Sequence, residues 1–275
     1  MTPPAAPATS SDRSAEAVDS GASDGSGSVS AAPDELPPVS TDWCTAPVQV
    51  LDQDTCYVLP EDEQGVVQPG TTSKRAQVRE LLIYLHGVVP PGRVSPQKTH
   101  FQEVVANAAR RARIAALIPR GKRGLAPKGF AGWWGWPTSA EAYKREGAQL
   151  AAAFEAKQRM LESITGQPFE RRYLGGSSAG AYFVTLLMAD GAFPAQGYMA
   201  LAGGAIPPGR NLRADPASVY VGYGKFDPVG SSSRALADFL SRAGWPVRVA
   251  VHPVPHGASE VYLDEAFAFF RSSGN

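Results

Sequence analysis

The chain has 275 residues, of which 43% are hydrophobic, and its formal net charge is zero. A chain of this length can bury one substantial core, and the zero charge gives no global electrostatic case for binding nucleic acid or an acidic membrane surface. No stretch approaches the ~20 apolar residues that span a bilayer, so we expect no transmembrane segment.

Residues 1–40 consist mainly of Ala, Ser, Pro, Asp and Gly and include no aromatic side chain. Such a segment buries too little apolar surface to offset the entropy that it loses on ordering. We therefore predict a disordered low-complexity tail or tether over residues 1–40 and one folded domain over residues 41–275. The tail shows neither the charged region nor the apolar region of a signal peptide.

The only two cysteines, Cys44 and Cys56, lie close together in the sequence. A disulfide between them would close a short loop and contribute about 3 kcal/mol to stability in the chain-entropy model. Two free buried thiols are the alternative. Because a bridge requires an oxidising compartment, we expect a secreted, periplasmic or cell-surface-tethered protein, although no export signal is visible.

From Trp43 onward, short apolar runs alternate with helical stretches. The predicted strands cover residues 80–85, 114–118, 172–174, 197–201, 219–222 and 247–251, with edge strands near residues 49–51 and 56–59. Strands that alternate with helices predict an α/β fold in which a mostly parallel sheet is covered by helices on both faces.

The clearest helix signal begins at Thr138-Ser139-Ala140-Glu141, which fits a capping box. Apolar or small residues then recur at helical spacing, and we expect them to face the sheet. They are Tyr143, Gly147, Leu150, Phe154 and Leu161.

A candidate nucleophile follows the predicted strand at residues 172–174. The run Gly176-Ser177-Ser178-Ala179-Gly180 fits the Gly-x-Ser-x-Gly pattern, with Ser178 at its centre, and an apolar helix-forming stretch follows. A serine hydroxyl becomes a good nucleophile when a sharp strand–turn–helix junction exposes it beside a base. This context favours Ser178 as a catalytic nucleophile.

The base and the acid come from later strand ends. His256 follows the last predicted strand, in a loop that can reach over the sheet, whereas His252 directly continues that strand and is expected to be held by its pairing. Asp227 follows the preceding strand and can fix the tautomer of a histidine, although an aspartate before proline often only starts a turn. Asp215 and Asp264 are weaker candidates for the acid.

The oxyanion that forms during acyl transfer needs preorganised N–H donors. We expect one from the backbone of Ala179, directly after the nucleophile, and the other from Val88, in the loop after Leu85-His86-Gly87. His86 is expected to support that loop and not to transfer protons.

Three tryptophans, Trp133, Trp134 and Trp136, lie in one short stretch before the capping box. Their rings could stack on sugar, phenolic or polyester groups, and we expect them to bind substrate. The alternative is that they pack beneath the following helix, and at least one is expected to be buried.

Taken together, Leu85-His86-Gly87, the pentapeptide at Ser178, Asp227 and His256-Gly257 resemble the α/β-hydrolase superfamily over roughly residues 56–271. Within it, the chain is most similar to compact esterases of the polyhydroxybutyrate-depolymerase, feruloyl-esterase and dienelactone-hydrolase-like groups. It departs from lipase-like relatives in having His-Gly-Val-Val after the strand instead of a glycine-rich run. The short interval from Ser178 to Asp227 leaves no room for a large cap domain, which predicts an open cleft.

The resemblance implies a serine ester hydrolase that acts on a small-molecule or polymeric ester. A serine peptidase or acyltransferase would use the same triad, and a non-catalytic binding protein could share the scaffold. We expect no cofactor and no metal site, because two cysteines are too few for a structural zinc site and no His-Glu-x-x-His is present. The sequence indicates no oligomeric state.

Overall fold

A computed structural model describes residues 42–60, 78–92, 95–207, 209 and 211–273. The predicted tail over residues 1–40 lies outside these ranges. Within them, no helix is both long enough and apolar enough to cross a bilayer.

Ten strands and five helices follow one another along these ranges. In chain order they are β1 (Gln49–Asp52), β2 (Thr55–Val58), β3 (Glu80–Leu85), α1 (Pro96–Ala112), β4 (Ala115–Pro119), β5 (Lys122–Arg123), β6 (Trp134–Gly135), α2 (Ala140–Thr165), β7 (Arg171–Ser177), α3 (Ala179–Asp190), β8 (Gly197–Leu201), β9 (Ser218–Gly224), α4 (Gly230–Arg242), β10 (Val247–His252) and α5 (Glu260–Ser273).

Eight of the strands form one sheet in the order β1-β2-β4-β3-β7-β8-β9-β10, and β5 and β6 form a separate two-stranded sheet. Six neighbouring strands of the large sheet pair in parallel, in the order β4, β3, β7, β8, β9 and β10. Strand β2 is antiparallel to both of its neighbours. The carboxyl ends of β3, β7, β9 and β10 therefore lie at one edge, where ligands bind in open α/β sheets.

The sheet is buried on both faces. Along β3, Leu81, Ile83 and Leu85 belong to a core cluster with residues of α2, α3 and α4. Leu82 and Tyr84 point to the opposite face and pack with residues of α1 and α5. This alternation explains why β3 is apolar throughout. The predicted fold class, a mostly parallel sheet between two helical layers, is confirmed.

The predicted strands all exist, with ends displaced by a few residues. The largest difference is at β7, which continues to Ser177, because its glycines let the strand run directly into the turn. The β5–β6 pair was not predicted, since two-residue strands are too short to show a pattern. No helix or strand is assigned to the described residues between β8 and β9, and no large cap domain is evident.

The start of α2 differs in detail from the capping-box prediction. The N-cap is Ser139, whose side chain accepts a hydrogen bond from the backbone N–H of Ala142, so Thr138 lies one residue outside the helix. All five positions of the helical pattern predicted to face the sheet are buried, and Ala151 is buried with them.

The predicted disulfide between Cys44 and Cys56 is present, with the two Cα atoms 5.5 Å apart. It fixes the segment before β1 to β2. Trp43, next to the bridge, is buried and donates its indole N–H to the carbonyl of Ile118 at 3.1 Å. The same indole lies beside His86, with ring centroids 5.0 Å apart and the ring planes tilted by 52°. The bridge therefore fixes the segment that places Trp43 next to His86, at the end of β3.

Candidate active site

Ser178 occupies a strained turn between β7 and α3. Its φ of 52° and ψ of −121° lie outside the regions that non-glycine residues normally adopt. The turn is held on both sides, because the N–H of Ser178 donates to Leu201 O at 2.9 Å and its carbonyl accepts from Tyr182 at 3.2 Å. Unlike most serines at this position, Ser178 does not use its side chain to cap the helix. The hydroxyl is thus held at the sheet edge.

The two glycines of the pentapeptide are required by close backbone contacts. A Cβ on Gly176 would lie 2.7 Å from the carbonyl carbon of Gly180, and a Cβ on Gly180 would overlap the backbone of Leu85. Glycine at both positions lets the end of β7 and the start of α3 pass this closely. The geometry matches the strand–turn–helix context that the sequence pattern requires.

A histidine–carboxylate pair lies beside this turn. His256 Nδ1 is 3.0 Å from each carboxylate oxygen of Asp227. The Asp227 side chain is fully buried behind the ring, whereas the His256 side chain is 41% exposed. Asp227 also accepts the backbone N–H of Val229 at 3.0 Å, which fixes the carboxylate. With a proton on Nδ1 directed at the acid, Nε2 would be the ring atom available to act as a base, the role predicted for His256.

The structure brings Ser178 and His256 into one cleft. Two pockets, of about 370 Å³ and about 590 Å³, meet there. Both are lined by the same four residues, Val88, Phe130, Ser178 and His256. The sequence therefore located three side chains that the fold assembles, and their catalytic roles stay predictions.

The predicted oxyanion donors border the same cleft. Ala179 is the first residue of α3, so its N–H belongs to the first turn, whose amides have no acceptor within the helix. Val88 lies between two anchored residues: the carbonyl of His86 accepts from Trp136 Nε1 at 2.9 Å, and Val89 exchanges two backbone hydrogen bonds with Trp134. The loop that carries Val88 is thereby fixed.

His86 is a buried, neutral, structural histidine. Its Nε2 accepts the backbone N–H of Gly121 at 2.9 Å, and its Nδ1 is bonded to the carbonyl of Gly87. Burial in this aromatic environment lowers the pKa of His86 to about 4. Both nitrogens have partners, which fits the expectation that His86 supports the loop.

The other candidates lie elsewhere. Asp264 is paired with Arg111 at 3.0 Å, and Asp215 lines a pocket that also contains the first residue of β7, at the opposite edge of the sheet. His252 is hydrogen-bonded to Glu265 at 2.9 Å. Ser177, the neighbouring serine of the pentapeptide, is the last residue of β7 and is 3% exposed.

The three predicted tryptophans have three different positions, and only Trp133 lines the cleft with Ser178. Trp136 is completely buried and stacks on Phe183 with the rings 5.9 Å apart, so the prediction that it binds substrate is wrong. Trp134 lines a separate pocket, where Arg120 lies 4.2 Å above its ring. Trp134 lines neither of the two pockets of the cleft, which likewise corrects the prediction for Trp134.

Several cleft residues were not predicted. Gln97 and His100, in the first turn of α1, line the smaller pocket, and Tyr182 and Val229 line the larger one. A signal for the first pair was present: Ser95 is the N-cap and Pro96 is the first residue of α1, a combination that marks a helix start at the carboxyl edge.

No protein-family model matches the sequence, and no curated protein matches it. Solved structures do match. A structure of YahD with malic acid is 14% identical, covers 80% of this chain and 98% of its own, and has a TM-score of 0.52. A carboxylesterase from Bacillus cereus is 14% identical, with 83% and 95% covered and a TM-score of 0.51. SOBER1 from Arabidopsis thaliana is 16% identical, with 71% and 99% covered and a TM-score of 0.53. At these identities, the likeness concerns the fold.

Proposed function

We propose that this chain, which has the α/β-hydrolase fold, is a serine hydrolase that cleaves carboxylic esters through an acyl-enzyme on Ser178. The observation that carries the proposal is the strained Ser178 on a cleft shared with His256, whose Nδ1 lies 3.0 Å from both oxygens of Asp227. The name of the Bacillus cereus carboxylesterase, a structure with the same fold, favours esters over other acyl compounds.

In the acylation step, His256 Nε2 takes the proton of the Ser178 hydroxyl as its oxygen attacks the ester carbonyl. The carbonyl oxygen becomes an oxyanion, which the N–H groups of Ala179 and Val88 stabilise. The imidazolium of His256 then returns the proton to the leaving alcohol. Asp227 stays ionised and stabilises that imidazolium.

In the deacylation step, water takes the place of the alcohol. His256 removes a proton from the water as it attacks the acyl carbonyl, and the same two N–H groups receive the second oxyanion. Collapse of this intermediate releases the acid and returns the proton to Ser178. Each removed oxyanion donor costs about 3–4 kcal/mol of transition-state stabilisation in enzymes of this kind.

The open cleft suits a bulky, aromatic or polyester-type ester. Phe130 and Trp133 pack edge to face with their rings 5.0 Å apart and present an aromatic wall to the pocket. The disulfide supports a secreted, periplasmic or surface-tethered location, because such bridges persist in oxidising compartments. A tail over residues 1–40 would then serve as a tether.

A fluorophosphonate probe tests the nucleophile. The probe should label the protein, and Ser178→Ala should abolish labelling, while Ser177→Ala, the matched neighbour, should retain it. Labelling that survives in Ser178→Ala and disappears in Ser177→Ala would show that Ser177 is the nucleophile and that the assignment to Ser178 is wrong.

A panel of nitrophenyl esters of varied acyl length tests the reaction. We expect burst kinetics from the acyl-enzyme and turnover of at least one ester. Labelling without turnover of any ester would favour the peptidase or acyltransferase alternative, and absence of both would favour a binding protein.

A further inference from the structure

The two pockets that meet at Ser178 are both lined mostly by apolar groups, but only the smaller one has Gln97 and His100 in its lining. We call the smaller one the polar arm because of these two side chains, which lie there with Val89, Phe101 and Trp133. We call the larger one the apolar arm, lined by Pro127, Thr138, Tyr182, Pro228 and Val229. The cleft is therefore divided into two compartments that would receive different parts of an ester.

The polar arm offers hydrogen-bonding groups beside an aromatic ring. Gln97 and His100 are exposed and lie three positions apart in the first turn of α1, so their side chains share one face of the helix. An amide and an imidazole can each donate and accept hydrogen bonds. With the indole of Trp133, they form a site suited to a ligand that carries hydroxyl groups on an apolar frame.

The apolar arm has few groups that can bind a polar ligand. Tyr182 donates its hydroxyl to Ser232 Oγ at 3.2 Å. It therefore contributes its aromatic ring to the lining of the pocket. Val229 uses its backbone N–H to bind Asp227, and Pro127 and Pro228 have no N–H to offer. Its volume of about 590 Å³ accommodates a medium-sized hydrocarbon group.

The positions of the reacting groups assign the arms. The acyl carbon stays bonded to Ser178 through both steps, with its oxygen at the oxyanion donors. Of these two donors, Val88 lines both arms and Ala179 lines only the apolar arm. The alcohol leaves with a proton from His256, and the two residues after it, Gly257 and Ala258, line only the polar arm.

We infer that the substrate is an ester of an apolar carboxylic acid with a polyhydroxylated alcohol of the glycerol or sugar type: the apolar arm binds the acyl group, and Gln97 and His100 bind the alcohol. This inference rests on the proposed function and assigns the substrate class of the same site.

Two esters with a common acyl group test the polar arm. Methyl octanoate and 1-monooctanoylglycerol differ only in the alcohol. The double variant Gln97→Ala/His100→Ala should lower kcat/KM for the glycerol ester about tenfold, the loss of two hydrogen bonds, and change the methyl ester less than about twofold. Gln97→Ala alone should give an intermediate loss. Glu103→Ala, an exposed change on the same helix outside both arms, should alter neither.

The rate of deacylation distinguishes the arm that binds the acyl group from the arm that binds the alcohol. Both esters give the same octanoyl-enzyme, so the double variant should leave the hydrolysis rate of this acyl-enzyme unchanged. Val229→Phe, which narrows the apolar arm, should lower kcat/KM for octanoate relative to acetate esters and should alter that hydrolysis rate.

An equal effect of the double variant on both esters, or a change in its deacylation rate, would overturn the arm assignment. Failure of the proposed function is distinguishable, because wild-type protein would then give neither fluorophosphonate labelling nor an acyl-enzyme. A labelled enzyme that hydrolyses both esters without responding to the alcohol overturns only the inference.

Discussion

His86 and His256 both follow a strand at the same edge of the sheet, yet their surroundings differ in every respect. His86 is fully buried among Trp43, Phe101 and Trp136, and both of its ring nitrogens are hydrogen-bonded to backbone. His256 is partly exposed, and among the described residues its ring is hydrogen-bonded through Nδ1 to the carboxylate of Asp227.

Under the proposed function, the same residue type has two roles in one fold. Burial without an acidic partner keeps the imidazole of His86 neutral, which fits a role in holding the loop that carries Val88. In the proposed mechanism, the exposed His256 beside a buried acid takes and returns the proton. The position of a histidine after a strand is therefore not enough to identify it as a base. The hydrogen-bond partners of its two ring nitrogens must also be known.

The largest effect is expected at His256. His256→Ala should lower kcat for ester hydrolysis by about 10⁴-fold, because in the proposed mechanism His256 takes the proton of Ser178. Folding stability should change little, since the side chain is 41% exposed. Steady-state kinetics and a thermal melt measure both quantities.

His252→Gln is the matched control. His252 lies four residues before His256 and also pairs with an acid, Glu265. It does not line either pocket of the cleft. Its activity should remain within a few-fold of wild type. Comparable losses in the two variants would remove the distinction between a catalytic and a structural histidine.

Asp227 should rank next. Asp227→Asn keeps the size of the side chain but removes the charge that stabilises the imidazolium and orients Nδ1–H, so kcat should fall about 10³–10⁴-fold. Asp264→Asn, which removes an exposed acid paired with Arg111, should leave kcat unchanged. A loss of less than tenfold at Asp227 would mean that His256 needs no acid.

The sequence predicted those parts of the site that follow from local chain geometry. Ser178 needs glycines at fixed offsets, and Asp227 and His256 follow strands whose apolar runs are unmistakable. Trp134 and Trp136 were misassigned because their direction depends on pairing with Val89 and on a bond to His86, which are contacts across the fold. Gln97 and His100 reach the cleft only through the placement of α1 against the sheet.

The pH dependence of stability should separate the two histidines. The pKa of His86 is about 4 in the folded state and is about 6.5 when unfolded. Between these values the unfolded state binds more protons. The stability from neutral His86 is therefore complete above pH 6.5 and declines as the pH falls, by about 3 kcal/mol at pH 4. Urea unfolding at pH 7 and pH 4.5 measures this decline.

The histidine resonances identify the group responsible. In a nuclear magnetic resonance titration of the folded protein, His86 should remain neutral through pH 5.5. The decline should persist in His256→Ala, whose catalytic imidazole is gone. A His86 resonance that titrates near pH 6.5 would contradict its assignment as a buried structural histidine.

The smallest effect concerns the bond that holds the His86 carbonyl. Trp136→Phe removes the N–H that donates to this carbonyl at 2.9 Å, which should cost about 1–2 kcal/mol of stability. Because the bond anchors the loop that carries Val88, kcat should also fall, by less than tenfold. Trp43→Phe removes an equivalent buried bond, to Ile118 of β4 at 3.1 Å, and should cost similar stability with unchanged kcat. Urea unfolding and steady-state kinetics compare the two variants. An equal fall in kcat in both would mean that the packing around His86 supports the oxyanion donor and that the hydrogen bond to the His86 carbonyl does not.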